Sequence, residues 1–583
     1  MSPRAYSLHD RAASKPAMRI APGRVSVVLG GLGFLFLLLL LRALYLQVAQ
    51  QDFLQNQGDA RFRRAMTLEA TRGVIADRNG EPLAISTPVQ TIWASPAGMP
   101  EVSEAQLSQL ARLLEVPAAE IRSRLADKKR EFVYLKRQIS PEQANAVMEL
   151  GIPGVAKQQE FRRYYPAGEM LSHIVGFTGV DGKGQEGLEL ARDTMLSGKH
   201  GKRVVLRDRR GYIIDDLAAI EPPKDGQTMT LSIDRRIQYL AYRELKNAVE
   251  VNKAKAGGIV VLDGKTGEIL ALANYPSFNP NNRMRLDPEM RRNRAVIDMF
   301  EPGSTMKPFP VAMAIESGKV KPTTVMDTHT YKVGSGTVRD THPKPVMTVT
   351  EVIQKSSNVG TSKMALLFPP EQMWTMYDAV GFGRNPRAGF PGEVSGRLRA
   401  WKNWRPFEQA TMSFGYGVSV SLLQLARAYT VFTADGHLLP VSFSRVPAPP
   451  AGQQVITPDT AQKMRDMMTR VTEIGGTGVR AQVLGFNVGG KSGTARKLVD
   501  GRYAADKHIG LFVGFAPATR PRLIVAVMVD EPKGGSYYGG TVAGPAFSAV
   551  MGGGLRVLGV EPDAPANNTL IPVNQIPEIR EET

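Results

Sequence analysis

The pattern of apolar and polar positions begins with one long apolar run. From Val25 to Leu41 there is no charged residue, and apolar character resumes after Arg42 through Leu46. A helix of this length spans the hydrocarbon core of a bilayer, and the Arg42 guanidinium can extend to the interface. Because no small-x-small cleavage site follows, the pattern predicts a membrane-spanning helix in contact with lipid over residues 25–46 rather than a cleaved signal peptide.

The charges around this run predict its orientation. Residues 1–24 carry five basic side chains and one acidic side chain, so they are expected to stay in the cytoplasm as a short tail. No second apolar run of this length follows. Everything after residue 47 is therefore expected on the far side of the membrane.

Between residues 47 and 225 the pattern is mixed and predicts a first extracytoplasmic domain. Residues 47–66 are polar and predict a helical stalk, and residues 71–86 read as strand, Asp-Arg-Asn-Gly turn, strand. Residues 103–150 show leucines at helical spacing, which predicts helices over this stretch. The turn residues of EPPKDGQ around Pro222–Gly226 indicate a domain boundary.

The pattern from residue 226 to residue 560 predicts a second domain. A strand and an amphipathic helix are followed by an apolar hairpin at 257–274 and a mainly helical stretch to about residue 480. Three apolar strands then precede a last helix within 542–558, and residues 561–583 form a tail. Two early and three late strands around a helical middle predict an α+β fold, a five-stranded antiparallel sheet flanked by helices.

Composition narrows the chemistry. The 583 residues include 73 Lys and Arg against 55 Asp and Glu, a net charge of +18, which suits nucleic acid, an anionic membrane surface or an acidic polymer as a partner. No basic block with interleaved aromatic residues occurs, so no nucleic-acid partner is expected. There is no cysteine, and the seven histidines are scattered, so neither a metal nor a cofactor is expected.

One segment places a hydroxyl beside a possible base. FEPGSTMKPF, at residues 300–309, predicts a helical turn in which Ser304 and Lys307 share a face. A serine attacks a carbonyl only when a base takes its proton, and a lysine with a lowered pKa can do so. Chance supplies about two Ser-x-x-Lys sequences in a chain this long, and a capping serine is the structural alternative. Further along, QKSSNVG offers the Ser356 hydroxyl and the Asn358 amide from a turn.

A third segment, VGGKSGTA at residues 488–495, is an apolar strand with polar side chains. Alternation along the strand places Ser492 and Thr494 on one face and Lys491 on the other. Gly493 would let a substrate backbone lie close, as an added strand would.

In this order the three segments resemble the signature of penicillin-binding proteins and serine β-lactamases. The spacings, 52 residues from Ser304 to Ser356 and 187 to Lys491, resemble those of class B penicillin-binding proteins. Other segments resemble the non-catalytic pedestal domain of that class: RGVIADRNGEPLA (72–84), RRYYPAGEMLSHIVGF (162–177) and GQEGLE (184–189). Further segments resemble its transpeptidase domain: VVLDGKTGEILALANYPSFNPN, NRAVIDMFEPGSTMKP and GYGVSVSLLQLARAY.

The resemblance implies a role for each residue of the three motifs. The implied catalytic residues are Ser304, Lys307, Ser356, Asn358 and Lys491. The implied substrate-binding residues are Ser492, Gly493 and Thr494, and the backbone N–H groups of Ser304 and Thr494 would form the oxyanion hole. The implied substrates are the D-Ala-D-Ala ends of peptidoglycan stem peptides, and β-lactams would acylate Ser304.

Two other segments match the second and third motifs letter for letter, and we interpret both as structural. A further segment matches the phosphate-binding loop of nucleotide-binding proteins, and we interpret that match as unrelated to function. Lys265–Gly267 and Ser277–Asn279 match the third and second motifs but precede Ser304, the wrong order for the family. GFNVGGKS at residues 485–492 fits a phosphate-binding loop, with 523–530 as its acid-ending strand. Such a loop leads directly into a helix, which the glycine-containing SGTARKLVDGRYAA does not predict.

The resemblance also indicates a branch and a place in the cell. Asn358 ends a motif in which the elongation branch usually carries Asp, and residues 86–96 and 537–547 resemble the division branch. This implies septal peptidoglycan synthesis at the inner membrane, with the catalytic domain in the periplasm. It also implies pairing with a polytopic septal glycosyltransferase and other divisome proteins. A D,D-carboxypeptidase, an elongation-type transpeptidase and a non-catalytic scaffold or β-lactam sensor remain the alternatives.

Overall fold

The computed structural model describes residues 22–54, 63–97, 99–207, 213–283 and 287–565. The apolar run forms helix α1, Pro22–Leu44, and a π-helical turn over Tyr45–Ala49 continues it. Together, Gly23–Ala49 is long and apolar enough to cross a membrane, and its most apolar 18-residue window has a mean hydropathy of 2.5 and is not buried. The predicted cytoplasmic tail falls almost wholly outside the described residues.

The predicted helical stalk is wrong at its end, where residues 63–66 belong to a strand. Strand β1, Arg63–Leu68, pairs antiparallel with β6, Gly201–Arg207, which pairs with β7, Ile213–Glu221. A polar segment carries little apolar periodicity, and its pairing partner lies more than 130 residues away in the chain. Local sequence therefore held no sign of the strand.

The strand-turn-strand prediction for residues 71–86 is confirmed, and the hairpin belongs to a larger sheet. Strands β2 and β3 flank the turn, and β3 also pairs with β4 and β5. The strands of this sheet are β2 Ile75–Ala76, β3 Pro82–Ala94, β4 Val133–Ile139, β5 Val155–Tyr164 and β8 Met229–Thr230.

The prediction of helices throughout 103–150 is only partly correct, because β4 interrupts them. Val133 and Leu135 are buried while Tyr134 between them is exposed, as in a strand with alternating faces. This alternation covers too few residues to be distinguished from the helical leucine spacing that precedes it. The helices of this half are α2 Glu104–Leu114, α3 Ala118–Leu125, α4 Pro141–Glu149, α5 Ser172–Val175, α6 Gly187–Ala191 and α7 Asp193–Leu196.

Three charged side chains from the pedestal-like segments meet in the interior of the first half. Arg72 Nε donates to one oxygen of Glu189 at 2.5 Å, and Arg163 Nε donates to the other at 2.7 Å. Glu189 is completely buried, and both arginines are less than 10% exposed. Each of the three resembling segments thus contributes one member of a single buried ion cluster.

The five-stranded antiparallel sheet predicted for the second half is confirmed. Its order across the sheet is β10-β9-β19-β18-β17, and every neighbouring pair is antiparallel. Strand β17 is outermost. The strands are β9 Ala256–Asp263, β10 Ile269–Tyr275, β17 Gly489–Val499, β18 Arg502–Ala516 and β19 Leu523–Asp530.

Helices cover both faces of this sheet. One face packs against α8, Arg235–Val251, and α19, Gly544–Val557, and the other packs against the helical middle of the chain. The remaining helices are α9 Arg294–Ile297, α10 Pro308–Glu316, α11 Val349–Lys355, α12 Asn358–Ala365, α13 Pro370–Ala379, α14 Pro406–Ser413, α15 Leu422–Ala428, α16 Thr430–Thr433, α17 Pro458–Thr469 and α18 Gly539–Val542.

Short two-stranded ribbons complete the helical middle. They pair β11 with β14, β12 with β13, and β15 with β16. Their bounds are β11 Val325–Asp327, β12 Tyr331–Val333, β13 Gly336–Val338, β14 Val346–Thr348, β15 His437–Leu438 and β16 Gln453–Gln454. The three predicted motif segments all converge where this helical middle meets β17.

Candidate active site

Ser304 and Lys307 lie on one turn, as the spacing predicts, although the turn is tighter than an α-helix. Gly303–Met306 is a 3₁₀ turn that leads into α10. Residues three apart eclipse one another in this geometry, and Lys307 Nζ lies 3.0 Å from Ser304 Oγ. Lys307 is completely buried and Ser304 is 3% exposed, so this pair is shielded from bulk water.

Backbone geometry around Gly303 explains why the turn forms here. Gly303 has a φ of +52°, in the left-handed region that glycine tolerates. A Cβ on the facing Gly415 would lie 2.1 Å from the Gly303 carbonyl oxygen, so the two chains approach too closely for a side chain. The hydroxyl of the buried Tyr429 also donates to the Thr305 carbonyl at 2.9 Å, which fixes the turn on its core side.

Ser356 connects the two lysines. Its hydroxyl oxygen lies 3.0 Å from Lys307 Nζ and 2.9 Å from Lys491 Nζ, and its carbonyl oxygen lies 2.5 Å from Lys307 Nζ. Ser356 has a φ of +62° at the point where α11 ends, a conformation that costs a non-glycine residue free energy. That strained corner directs the hydroxyl between the two amines.

Asp340, which the sequence did not single out, holds the segment that follows Ser356. Its carboxylate accepts the Ser357 hydroxyl at 2.5 Å and the Val359 backbone N–H at 2.8 Å. Ser357 in turn caps α12 by accepting the Gly360 N–H at 2.9 Å. These bonds fix the first turn of α12, where Asn358 lies half-buried. Asp340 belongs to a loop with no local pattern, so only the fold reveals this contact.

The predicted alternation along β17 agrees with the strand register. Lys491 pairs with Val513 and Gly493 with Leu511, whose side chains belong to the core on the helical side of the sheet. Ser492 pairs with Phe512, which belongs to the core on the opposite side. Residues directly opposite in an antiparallel pair point to the same face. The Ser492 side chain therefore lies on the other face from that of Lys491.

The hydroxyls of Ser492 and Thr494 are buried and already engaged. Ser492 Oγ donates to Thr477 Oγ1 at 2.6 Å, and Thr494 Oγ1 accepts the Gly539 N–H at 3.0 Å. Gly493 faces the nucleophile turn, since a Cβ there would lie 2.8 Å from Thr305 Cγ2. The fold thus brings β17 against the Ser304 turn at Gly493, a position without a side chain.

A carboxyl lies at the edge of the same turn. Glu301 Oε1 accepts the Gly417 N–H at 2.7 Å and the Tyr503 hydroxyl at 3.1 Å. Its Oε2 is buried without a hydrogen-bond partner among the described residues. Burial raises the pKa of Glu301, and burial together with the Glu301 charge raises the pKa of Tyr503. Proximity of Glu301 to Ser304 was visible in the sequence, but its tyrosine partner was not.

The repeated motifs take structural roles and the rival motif has the wrong backbone. In the turn between β9 and β10, Asp263 accepts the Lys265 N–H at 2.9 Å. Ser277 Oγ donates to the Glu169 carbonyl at 2.7 Å, a contact that ties the two halves together. Residues 489–499 are extended, so GFNVGGKS does not lead into a helix and cannot cradle a phosphate as a P-loop does.

Comparison with known protein families agrees with this geometry. The family described as the penicillin binding protein transpeptidase domain matches residues 257–552, and the penicillin-binding protein dimerisation domain matches residues 67–231. The chain belongs to the penicillin-binding proteins that combine these two domains.

Curated relatives match nearly the whole chain. The probable peptidoglycan D,D-transpeptidase PenA of Neisseria meningitidis is 52% identical over 546 residues, which covers 93% of this chain and 94% of the relative. The peptidoglycan D,D-transpeptidase FtsI of Escherichia coli K12 is 41% identical over 532 residues, 90% of each chain. The probable peptidoglycan D,D-transpeptidase PbpC of Pseudomonas aeruginosa is 42% identical over 525 residues, 90% of this chain and 93% of the relative.

Proposed function

We propose that this chain is the septal peptidoglycan D,D-transpeptidase of its cell, which cross-links stem peptides through an acyl-enzyme on Ser304. One observation carries the proposal: a buried chain of contacts runs from Ser304 through Lys307 and Ser356 to Lys491, with steps of 3.0, 3.0 and 2.9 Å. Such a chain can remove a proton from the nucleophile and return it to a leaving group without solvent.

In the acylation step, Ser304 Oγ attacks the carbonyl carbon between the two terminal D-Ala residues while its proton passes to Lys307. Lys307 Nζ is placed to take this proton, at 3.0 Å from Ser304 Oγ. The backbone N–H groups of Ser304 and Thr494 stabilise the oxyanion. The turn and the strand are close enough for this, since a Cβ on Gly303 would lie 3.0 Å from the Thr494 carbonyl oxygen. The C–N bond then breaks, and Ser356 delivers the proton to the departing D-Ala amine.

In the second step, the amine of a neighbouring stem peptide attacks the ester. The new C–N bond forms as the bond to Ser304 Oγ breaks, and Ser304 regains its proton through Lys307. Asn358 binds a substrate amide, and the donor peptide adds alongside β17 next to Gly493. Ser492 and Thr494 bind the terminal carboxylate in the field of Lys491. For this role the two hydroxyls must exchange their present partners, Thr477 and the Gly539 N–H.

The proposed function includes a location. Residues 47–225 form an elongated pedestal and residues 226–560 form the transpeptidase domain, with the N-terminus in the cytoplasm and both domains in the periplasm. Helix α1 and the pedestal pair with a polytopic septal glycosyltransferase and other divisome proteins. The basic residues before the apolar run support this orientation, as does the finding of one helix able to span a membrane among the described residues.

Labelling by a fluorescent penicillin tests the assignment of the nucleophile. The full chain in detergent should form a stable adduct, Ser304→Ala should form none, and mass spectrometry should locate the adduct on the peptide that contains Ser304. Ser317→Ala is the matched control, a serine at the end of α10 that should leave labelling unchanged. An unlabelled wild type, or a labelled Ser304→Ala variant, contradicts the proposal.

Three alternatives give different results in two further experiments. With a lipid II polymer, a transpeptidase produces cross-linked dimers, a carboxypeptidase releases D-Ala without cross-links, and a scaffold or sensor does neither. Depletion in cells separates the branches, because loss of a septal enzyme gives filaments and loss of an elongation enzyme gives rounded cells. Cross-linked dimers together with filaments support the proposed function.

A further inference from the structure

Much of the positive charge of the chain is concentrated in one segment that the catalytic chemistry does not use. Residues 384–405, here called the basic band, carry a net charge of +5 in 22 residues, against +18 in all 583. The band holds a single acidic residue, Glu393. Its six basic residues are Arg384, Arg387, Arg397, Arg399, Lys402 and Arg405.

Only two of these six side chains are neutralised by nearby acids. Arg384 pairs with Asp378, and Arg399 pairs with Glu408 at 2.9 Å. The other four are exposed and form no ion pair among the described residues. Glu393 accepts the Ala388 backbone N–H at 2.9 Å and forms no ion pair with the other four among the described residues.

The start of the band is folded against its middle, which concentrates the charge. Gln424 Nε2 donates to the carbonyls of both Arg384 and Ser395 at 2.8 Å. A Cβ on Gly383 would lie 2.9 Å from that of Leu398. The pKa of the half-buried Arg427 reflects this charge: burial first and then the charges of Arg384 and Arg387 lower it, while the charge of Glu393 raises it.

A short ladder of hydrogen-bonded, extended backbone connects the band to the segment that precedes the nucleophile. Arg397 exchanges two backbone hydrogen bonds with Ser419, at 2.7 and 3.0 Å, and Val420 exchanges two with Phe300, at 3.0 and 2.9 Å. Neighbouring extended chains are about 4.8 Å apart, so Arg397 lies roughly 10 Å from Phe300. Phe300 precedes Ser304 by four residues. The backbone of the band at Arg397 is therefore two strand spacings from the segment that leads into the Ser304 turn.

We propose that the basic band binds the carboxylates of stem peptides on an uncross-linked glycan strand and so holds the strand beside Ser304. The inference rests on the proposed function, which makes that strand the substrate. Each stem peptide ends in a carboxylate and stems repeat along the strand, so the uncross-linked polymer is a polyanion. A row of exposed cations attracts such a polymer in a salt-dependent manner and speeds its encounter with the site.

The test compares two variants of the full chain that lose the same number of charges. The band variant carries Arg387→Gln, Arg397→Gln, Lys402→Gln and Arg405→Gln. The control variant neutralises four exposed lysines outside the band: Lys129→Gln, Lys246→Gln, Lys265→Gln and Lys321→Gln. Both variants and the wild type, reconstituted in nanodiscs of zwitterionic lipid, are acylated with penicillin so that the cleft is filled. Binding of soluble uncross-linked strands is then measured at low and high salt.

The band variant should bind strands about tenfold more weakly than the wild type at low salt, with a flatter salt dependence, because several exposed pairs of modest strength are lost together. The control variant should match the wild type, and strands stripped of stem peptides should bind weakly to all three. Penicillin acylation of Ser304 should be equal in the three proteins, because so small a ligand does not reach the band.

Three results would overturn the inference. They are equal strand binding by the band variant and the wild type, equal weakening in both variants, and a loss that occurs only in nanodiscs of anionic lipid, which would assign the band to the membrane surface. Failure of the proposed function is distinguishable, because it shows as absent penicillin labelling of the wild type whatever the strands do.

Discussion

The molecule contains two clusters of buried basic side chains that differ in what their partners can do. In the first half, Arg72 and Arg163 converge on Glu189, which is completely buried. In the second half, Lys307 lies 3.0 Å from both the Ser304 and the Ser356 hydroxyl oxygens. Both clusters are shielded from water, so burial alone does not distinguish a structural cluster from a reactive one.

The difference lies in whether a proton can move. A guanidinium stays charged at every accessible pH and binds a carboxylate in a fixed fork, so the Arg72–Glu189–Arg163 contacts are static. An amine in hydrogen-bond contact with hydroxyls can take and return a proton, which is what an acyl-transfer site requires. The first cluster should therefore govern stability and the second should govern rate.

The largest expected effect comes from replacing the reactive base with a static cation. Lys307→Arg keeps a positive charge but cannot accept the Ser304 proton. Acylation by penicillin should slow at least about a thousandfold, within the range that a positioned general base contributes. Stopped-flow or gel-based labelling at several penicillin concentrations measures the rate. Lys363→Arg, at a half-buried lysine that pairs with Asp327, is the matched control and should acylate at the normal rate.

A loss of acylation in Lys307→Arg has meaning only if the protein remains folded. Thermal unfolding of the same sample provides that check, and a normal transition with slow labelling supports the comparison. Near-normal labelling by Lys307→Arg would show that Lys307 is not the base.

The reciprocal change is Glu189→Gln in the static cluster. It leaves two buried guanidiniums without their shared carboxylate, which should lower the free energy of unfolding by about 3 kcal/mol. Acylation per folded molecule should not change. Denaturant unfolding and active-site titration measure the two quantities. Glu120→Gln breaks an exposed pair with Arg124 and should cost less than about 0.5 kcal/mol.

A smaller effect is expected from Asp340→Asn. This carboxylate supports the reactive cluster by accepting hydrogen bonds from a hydroxyl and a backbone N–H, not from an arginine. The charged acceptor of the Ser357 hydroxyl and the Val359 N–H becomes a neutral one, and the turn that carries Ser356 loosens. Acylation should slow about tenfold through misplacement of Ser356, with little change in stability. Asp327→Asn, an exposed acid on β11, is the control. An unchanged rate in Asp340→Asn would limit Asp340 to a structural role.

The elements that the sequence predicted correctly are those with strong local periodicity. The apolar hairpin at 257–274 and the three apolar strands after residue 480 are buried on both faces, and they form the five-stranded sheet. The three-residue spacing within one turn was equally informative, since it predicts that Lys307 lies beside Ser304, and the two side chains are 3.0 Å apart in the fold.

What the sequence did not predict depends on contacts between distant segments. Strand β1 is defined by pairing with β6, and Asp340 reaches α12 from a loop without a pattern. The left-handed Ser356 is another case, because a serine in that conformation is held by its surroundings rather than by its own preference. Such features become visible only when the chain is folded.

The smallest expected effect concerns Glu301, a half-buried carboxyl whose hydrogen bonds come from neutral donors instead of arginines. Burial raises its pKa above the ordinary value of 4.5, so the folded protein holds this proton at a pH where the unfolded chain has released it. Its contribution to stability is therefore present at low pH and is lost as pH rises through the raised pKa. Glu301→Gln does not titrate, so its unfolding temperature relative to the wild type should increase from about pH 4.5 upward and then level off. Tyr503→Phe removes one hydrogen-bond donor to the carboxylate, so the pH range over which the unfolding temperatures diverge should extend to higher pH. If the unfolding temperatures of the wild type and Glu301→Gln instead change in parallel with pH, Glu301 is ionised in the fold without cost.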